Sequence, residues 1–402
     1  MIALHGVWSW ISSTNRSVIV KLIRERLAPG GVVYVSYNCQ PGWSSVAPVR
    51  HLLSLGQHLD AGGLSRDATE TDRALAFLEE VLAVNPRYFA ENKIAISQAS
   101  NLRSQSRAYL AHEYLNEDWH TPYFSEVASS LAEAKLSFVA SARLLDRVND
   151  INIGRQAIAY VESIKDIEKR ESIRDFLVNQ RFRTDLFIKG PVRMTIAELE
   201  AFWDDQAFVL GCPLSEIDLK ISGPLGEADL PEPIYRPLVL ALASQDYSPK
   251  TLAELHPHPG LRSIPRMDLI SALTVLVGMD VLRPSVNPTG AAIGRSRAYN
   301  DYVLERALTG PHLNHLASAV IAGGIPCVRP AQLLLRSWFN GARTSSELAQ
   351  GVWRVFETSG ERAIKNDREV AGADENIQVL TEMAERFLKD TLPVYRALRV
   401  VD

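Results

Sequence analysis

With 402 residues, the chain is well above the usual length of a single domain, so we expect two or three domains. Its 46% hydrophobic and 22% charged residues are typical of folded globular proteins, which excludes a disordered, collagen-like or disulfide-stapled chain. The 43 basic and 47 acidic residues give a net charge of −4, so charge provides no overall attraction for nucleic acid or an anionic membrane.

The opening residues predict neither a signal peptide nor a membrane span. Residues 1–8 contain no basic leader, and their apolar run Ile2–Leu4 is too short for either segment. We therefore expect a cytoplasmic protein without a membrane span. The apolar run starts with no preceding turn, which suggests a chain cut within a sheet.

The first 38 residues predict a strand, a helix and a second strand. The short strand Ile2–Leu4 is followed by apolar side chains at helical spacing over residues 17–27. The β-branched and aromatic run Val32–Asn38 then has the length of a strand, so a parallel βαβ unit is expected. Pro41-Gly42-Trp43 breaks the chain beyond this strand, at the edge where open α/β sheets bind ligands.

The next segment predicts a helical insertion over about residues 44–117. Its helices are expected at 46–59, at 70–84 and within 88–115, with a turn at Gly62-Gly63. The α/β pattern then resumes with a helix at 122–134, a strand at 136–140, a helix at 157–179 and a strand at 182–188. Residues 1–190 therefore form an α/β domain with four strands.

After residue 190 the predicted organisation changes. Residues 191–232 contain a linker helix at 195–205 and a hairpin of 208–210 with 217–221, and Pro231-Glu232-Pro233 suits a domain boundary. Residues 287–402 are mostly helical, with helices expected at 330–339, 345–358 and 375–392.

Residues 233–286 have the element order of a winged helix, a domain that often binds DNA. From Glu232 to Ser285 there are five basic and five acidic residues, and the third helix is almost wholly apolar over 267–277. A DNA-reading helix needs basic and amide side chains to reach phosphates and base edges. We therefore predict no nucleic-acid partner, and a winged helix that packs against another domain or a protein.

Several residues that suggest a metal or phosphate site do not have the required spacing. His112 and His120 lie among three carboxylates, but the HExxH motif of zinc enzymes fails because Asn116 occupies its second histidine position. The loops expected at 290–294 and 323–326 lack the Lys-Ser/Thr pair of a phosphate loop. The three cysteines are far apart, which favours a reducing compartment. No metal site is predicted.

Five ordered motifs resemble a known family. They are His5-Gly6-Val7-Trp8-Ser9-Trp10, Leu27-Ala28-Pro29-Gly30-Gly31, Ser36-Tyr37-Asn38 with Pro41-Gly42-Trp43, His112-Glu113-Tyr114-Leu115, and Arg181-Phe182-Arg183-Thr184-Asp185-Leu186-Phe187. Together they resemble bacterial class I S-adenosylmethionine-dependent methyltransferases with a methyltransferase regulatory domain, whose relatives with a similar C-terminal region methylate protein lysines. The family's Gly-rich loop after its first strand and acidic residue after its second have no counterpart in this sequence.

The resemblance implies a truncated class I methyltransferase (Rossmann-like) half-sheet with a helical insertion, followed by an α+β winged-helix C-terminal region. Ile2–Leu4, Val32–Tyr37, 136–140 and 182–188 would be strands four to seven of a seven-stranded α/β sheet. Removing strands one to three predicts an open edge at Ile2–His5 and an exposed apolar patch beside it.

The same resemblance assigns roles to residues at the strand ends. Tyr37 and Asn38 are the expected catalytic residues, and His5, Gly6 and Val7 are expected near the methyl-donor end of S-adenosylmethionine. The expected substrate-channel residues are Trp8, Ser36, Trp43, His112 and Tyr114. In the alternative interpretation, His5 and Trp8 pack in the core and residues 36–38 only end a strand.

We therefore expect the C-terminal portion of a methyltransferase with a protein substrate, most plausibly lysine, and no activity from the chain alone. Two alternatives remain: a catalytically inactive protein-interaction module, and a regulatory subunit that completes its sheet with another chain. The sequence identifies neither the target protein nor the oligomeric state.

Overall fold

The computed structural model describes residues 1–57, 69–365 and 368–401. They divide into two compact units, one of Met1–Arg193 with Ser222–Gly226, and one of Met194–Ile221 with Glu227–Asp402. The boundary predicted at residue 190 lies beside the change from the first unit to the second. The finer division of residues 191–402 stays a prediction, and the turn expected at Gly62-Gly63 lies outside the described residues.

Up to residue 189 the chain alternates helices with four strands. The strands are β1 (Ile2–Leu4), β2 (Val32–Asn38), β3 (Leu136–Ser141) and β4 (Phe182–Lys189). The helices are α1 (Ser13–Arg26), α2 (Ala47–Gly56), α3 (Glu70–Ala83), α4 (Arg87–Glu91), α5 (Lys93–Asn101), α6 (Arg107–Tyr114), α7 (Phe124–Ala132), α8 (Asn149–Asn152), α9 (Arg155–Ser163) and α10 (Ile167–Val178), with short 3-10 turns at Trp8–Trp10, Leu102–Ser104 and Leu144–Arg147.

The four strands form one sheet in the order β1-β2-β4-β3. β1 pairs parallel with β2, as the βαβ pattern predicts, whereas β4 is antiparallel to both β2 and β3. β1 is an edge strand, and its outer side has no partner strand in the described part of the chain. On α1, the helix that follows β1 in the chain, the apolar residues Val18 and Leu22 are exposed to solvent by 61% and 51%.

The sheet packs against α1 and α7 because these helices place apolar side chains on one face. Val33 and Val35 of β2 are fully buried, and Ile23 of α1 and Leu131 of α7 join them in one core. Ser12 caps the start of α1 by accepting a hydrogen bond from the Asn15 backbone N–H at 3.2 Å. The core thus fixes β2, whose carboxyl end carries the candidate site.

The insertion is helical, as expected, and has a core of its own. Trp43, Leu53, Leu78, Leu102 and Leu110 are almost completely buried together. The helical stretch expected over 157–179 consists of two helices, α9 and α10, with a break between them. Asp166 accepts a hydrogen bond from the Lys169 backbone N–H at 3.1 Å and begins a new helix.

The remaining elements follow in chain order. They are α11 (Ile196–Asp205), β5 (Ala207–Leu210), a 3-10 turn Leu214–Glu216, β6 (Lys220–Gly223), β7 (Gly226–Asp229), α12 (Glu232–Ala243), β8 (Lys250–Thr251), α13 (Leu252–Leu255), α14 (Arg266–Gly278), β9 (Leu282–Ser285), α15 (Gly290–Arg306), β10 (His315–Ser318), β11 (Gly323–Pro326), α16 (Arg329–Phe339), α17 (Ser345–Ser359), β12 (Ile364–Lys365), β13 (Arg368–Glu369), α18 (Ala373–Arg386), a π-helical turn Phe387–Thr391 and α19 (Leu392–Ala397).

Two sequence predictions after residue 190 were wrong in detail. β5 does not pair with residues 217–221, because it is the central strand of the antiparallel sheet β8-β5-β9, while β6 pairs with β7. The glycine-bearing segments are not loops either: Gly290 begins α15, capped by Thr289, and Gly323 begins β11, which pairs with β10. The hairpin prediction failed because β5 pairs with strands distant in sequence, whereas the cap of α15 and the pairing of β11 are local.

The segment predicted as a winged helix contains α12, α13 and α14 with β8 and β9. Leu269, Leu273 and Leu276 of α14 are completely buried, so most apolar side chains of this helix are used in packing, whereas Met267 is exposed. The winged-helix assignment itself stays a prediction. None of the described helices is long and apolar enough to span a membrane.

Candidate functional site

The segment that leaves β1 is hydrogen-bonded to the carboxyl end of β2. Gly6 donates its backbone N–H to the Ser36 hydroxyl at 2.8 Å, and its φ of +63° suits a glycine. Asn38 donates its backbone N–H to the Ser9 hydroxyl at 2.9 Å. Because Ser9, Ser36 and Asn38 are all buried, these two bonds fix the geometry of both strand ends.

Helix α6 of the insertion reaches the same place. The Asn38 side-chain amide donates a hydrogen bond to Glu113 Oε1 at 2.9 Å, although the two residues are 75 positions apart. The rings of Trp10 and His112 lie 5.0 Å apart, and the His120 backbone N–H donates to the Ser9 carbonyl at 2.9 Å. The insertion therefore covers the carboxyl end of β2, where open α/β sheets bind ligands.

Glu113 is a partly buried carboxylate with few partners. Burial is the main cause that raises its pKa, while the Asn38 hydrogen bond and the charges of His112 and Arg181 act in the opposite direction. In the described part of the chain, no basic nitrogen lies close enough to Glu113 to form an ion pair, and Oε2 accepts no hydrogen bond. The residue is therefore a carboxylate with one oxygen in use and one available.

Behind the strand end lies a buried ionic network centred on Arg183 of β4. Its guanidinium binds both oxygens of Asp185, with Nε to Oδ2 at 2.8 Å and Nη2 to Oδ1 at 3.0 Å. It also contacts Asp175 Oδ1 at 2.5 Å and Glu171 at 3.2 Å. The Tyr37 hydroxyl donates to Asp185 Oδ2 at 2.6 Å, which ties β2 to this network.

The network holds three carboxylates around one guanidinium, so its charges do not balance. Burial raises the pKa of Asp175 to about 7, against the opposing effect of Arg183. Its Oδ2 is buried with no hydrogen-bond partner, which fits a carboxyl group that carries a proton. Burial also raises the pKa of Tyr37 well above its ordinary value, with Asp185 adding to the effect. Tyr37 therefore stays a neutral hydroxyl.

An aromatic cluster supports the insertion beside the site. The Trp43 ring lies 5.5 Å from that of Trp119 and 6.1 Å from that of Tyr114. The guanidinium of Arg181 lies 4.4 Å from the Trp43 ring centre, and that of Arg50 lies 4.6 Å from the Trp119 ring centre. The contact of Arg181 joins this cluster to the chain just before β4.

The predicted site residues fall into two groups. The first group lies at the strand ends or at the contact with α6. Gly6 and Ser36 are joined by a hydrogen bond at the strand ends, and Asn38 and His112 lie where β2 and the Trp10 turn meet α6. His5 is exposed and lies 3.3 Å from the Tyr34 hydroxyl, and Val7 accepts a backbone hydrogen bond from Trp10.

The second group consists of side chains enclosed in the structure. Tyr37 and Trp43 are each 1% exposed, Trp8 is 2% exposed, and Tyr114 is completely buried with its hydroxyl bound by Gln98. Other side chains enclose these four residues, so they pack behind the site. The roles assigned to all the predicted residues remain predictions.

Three residues at this site were not among the sequence-based candidates: Ser9, Trp10 and Glu113. All three stand inside motifs that carried the family resemblance, and Glu113 directly follows His112. A long-range hydrogen bond cannot be derived from such spacing. The described residues contain no group of three or more His, Cys, Asp or Glu side chains that could hold a metal ion.

A family model and curated relatives match this chain. The family described as a predicted methyltransferase regulatory domain matches residues 106–189, which overlap the expected insertion only over 106–117. The uncharacterized protein sll1526 of Synechocystis is 36% identical over 405 residues, covering 99% of this chain and 77% of its own length. The uncharacterized protein RP789 of Rickettsia prowazekii is 28% identical over 194 residues, covering 48% of this chain and 34% of its own length.

Solved structures share the fold. PKMT2 from Rickettsia typhi in complex with AdoHcy has a TM-score of 0.63 and 18% identity, with 96% of this chain and 79% of that chain covered. A second PKMT2 structure has a TM-score of 0.61 and 18% identity. The fold and the matched segment define a methyltransferase-like α/β protein. Within that class, the chain belongs to the family of the Synechocystis protein sll1526.

Proposed function

We propose that the protein is an S-adenosylmethionine-dependent methyltransferase that acts on protein lysines, and that this chain supplies the substrate-side portion. The observation that carries the proposal is the convergence of Asn38, Trp10 and Glu113 at the carboxyl end of β2. Support comes from the fold, which is similar to that of PKMT2 bound to AdoHcy, and from the regulatory-domain match, which includes α6.

The carboxyl ends of β1 and β2 provide only part of a binding site for S-adenosylmethionine. A Cβ on Gly6 would meet no atom within 4 Å, so there is open space beside the end of β1. However, the Gly-rich loop and the acidic residue that the resemblance places after strands one and two have no counterpart in this sequence. A glycine loop for the methionine part and a carboxylate for the ribose are thus missing here. The residues present do not fit the whole of S-adenosylmethionine.

The chemistry that this chain can supply is therefore the handling of the substrate. Methyl transfer requires an acceptor amine held in line and kept away from water. In the proposal, Asn38 contacts the incoming amine, and Ser9 and Glu113 fix the position of Asn38. Tyr37, whose hydroxyl is occupied by Asp185, holds the end of β2. His5, Gly6 and Val7 remain on the side expected to face the methyl donor.

The remaining sequence expectations belong to the same proposal. Residues 233–286 are proposed to form a winged helix that packs against protein rather than DNA, because Leu269, Leu273 and Leu276 of α14 are buried. A cytoplasmic location agrees with the three cysteines, which are all free thiols.

A second candidate function is a subunit that completes its sheet with another chain, with or without activity of its own. The observation that favours it is the outer edge of β1, which has unpaired backbone groups in the described part of the chain. Such an edge readily accepts another strand.

Methyl transfer by a chimera tests the first proposal. The chain replaces its matching region in sll1526, and the chimera is incubated with methyl-labelled S-adenosylmethionine and poly-L-lysine. We expect labelled methyl-lysine from the chimera, and none when the poly-L-lysine is acetylated. A chimera that binds the cofactor by calorimetry but labels no lysine would contradict the proposal.

A further inference from the structure

Asn38 and Glu113 form a pair that leaves two oxygen acceptors unused. Their hydrogen bond uses the amide nitrogen of Asn38 and Oε1 of Glu113. Among the described residues, neither Asn38 Oδ1 nor Glu113 Oε2 accepts a hydrogen bond. Neither atom is among the completely enclosed side-chain atoms without a partner, so each keeps some exposed surface. The two acceptors belong to side chains that are hydrogen-bonded to each other.

Glu113 also has no ion-pair partner: the charges of His112 and Arg181 act on it, but among the described residues neither side chain lies within ion-pair distance. Buried carboxylates usually have a cationic partner, because removing a charge from water costs free energy that a hydrogen bond to one oxygen only partly offsets. The carboxylates near Arg183 have such a partner, whereas Glu113 has none within ion-pair distance in the described chain. This difference points to a cation that comes from outside the chain.

The surroundings favour an organic ammonium group over a metal ion. The Trp10 ring lies 5.0 Å from the ring of His112, which precedes Glu113 on α6, and an indole face attracts cations such as an alkylammonium. A metal ion would require more oxygen, nitrogen or sulfur ligands than these two atoms provide. An alkylammonium has three N–H donors on an apolar stem, which suits two oxygen acceptors beside aromatic rings.

We infer that Glu113 Oε2 and Asn38 Oδ1 bind the side-chain ammonium group of the substrate lysine, so that helix α6 supplies the residue that selects the substrate. The inference rests on the proposed function and adds the residue by which the insertion takes part in it. The inference assigns this role to Glu113 and not to Glu117, whose exposed side chain lies just after α6.

Matched ligands and variants test the inference. The chain is titrated with Nα-acetyl-lysine amide and Nα-acetyl-norleucine amide, which differ by the amino group, and binding is followed by ligand-observed NMR. Wild type is expected to prefer the lysine ligand by about tenfold, as for a hydrogen-bonded charge. Glu113→Gln retains the acceptor for Asn38 and should lose this preference, whereas Glu117→Gln should keep it.

A second measurement needs no variant. A water-soluble carbodiimide forms an amide bond between the amine of the lysine ligand and a carboxylate. The carbodiimide takes up the water that this reaction releases and becomes a urea. Mass mapping should find the new amide at Glu113 in preference to Glu117. Equal coupling at exposed carboxylates with none at Glu113 overturns the inference.

The outcomes distinguish the inference from the proposed function. A lysine preference that survives in Glu113→Gln overturns the inference and leaves the proposed function standing. A wild type with no lysine preference overturns it as well. Methyl transfer to poly-L-lysine by the chimera is the separate readout of the proposed function.

Discussion

Replacing Asp175 by asparagine should change the pH dependence of stability in the first unit. In the folded chain burial raises the pKa of Asp175 from the ordinary value of 3.8 to about 7. Between these two pH values the folded state holds a proton that the unfolded state releases. The sign follows from linkage: stability from this group is fully present below about pH 3.8 and is lost as the pH rises through about 7.

The expected magnitude follows from the same two values. A tenfold change in proton affinity corresponds to about 1.4 kcal/mol, so the loss is on the order of 4 kcal/mol for a group that is only 3% exposed. Asparagine resembles the protonated carboxyl group, because it is neutral and similar in shape. Asp175→Asn should therefore lack this loss and gain stability relative to wild type between pH 5 and pH 8.

Hydrogen exchange measured by mass spectrometry can follow this effect within the first unit. Peptides from β2 and β4 report the local free energy of opening once intrinsic exchange rates are corrected for pH. The matched control is Asp150→Asn, since Asp150 is exposed. If Asp175→Asn and wild type show the same pH dependence from pH 5 to 8, the reasoning about the buried network is wrong.

Three further predictions concern the strand ends, the cofactor and DNA. Ser9→Ala leaves the Asn38 backbone N–H without its acceptor and should cost about 1–3 kcal/mol of unfolding free energy; an unchanged urea midpoint would refute this. Calorimetry of the chain with S-adenosylmethionine should detect no micromolar binding, because the family's Gly-rich loop and the acidic residue after its second strand have no counterpart in this sequence; saturable heat at micromolar concentration would contradict this prediction. Duplex DNA should be retained weakly and without sequence preference, since α14 buries most of its apolar side chains. A nanomolar, sequence-selective complex at physiological salt would contradict this prediction.

Local patterns predicted the strands of the first unit well. Ile2–Leu4 has the predicted bounds, β2 is Val32–Asn38 as expected, and β3 and β4 each extend one residue beyond the predicted end. β-branched and aromatic runs bounded by glycine and proline are strong local signals. The antiparallel direction of β4 has no such signal, because it depends on how the chain returns to the sheet.

The parts that sequence reasoning missed depend on distant contacts. α15 contains Gly290 and Gly294, which weaken a helical prediction, but Thr289 caps its first turn and Val303 packs in the core. Similarly, motif reasoning selected His112 and Tyr114 on α6 as channel residues. The structure instead shows Glu113 between them bonded to Asn38, a pairing that only the folded insertion creates.

The hydrogen bond between α6 and β2 has a consequence for how this family can diversify. The sheet contributes Asn38 from a strand that its own core holds in place, whereas Glu113 comes from an insertion with a separate core. Substitutions within the insertion can therefore change the chemical character of the shared edge while the strands remain intact. A graft of the insertion from a relative would have to preserve the approach of α6 to Asn38 together with the other contacts of the insertion, such as the hydrogen bond from Arg181 to Gln98.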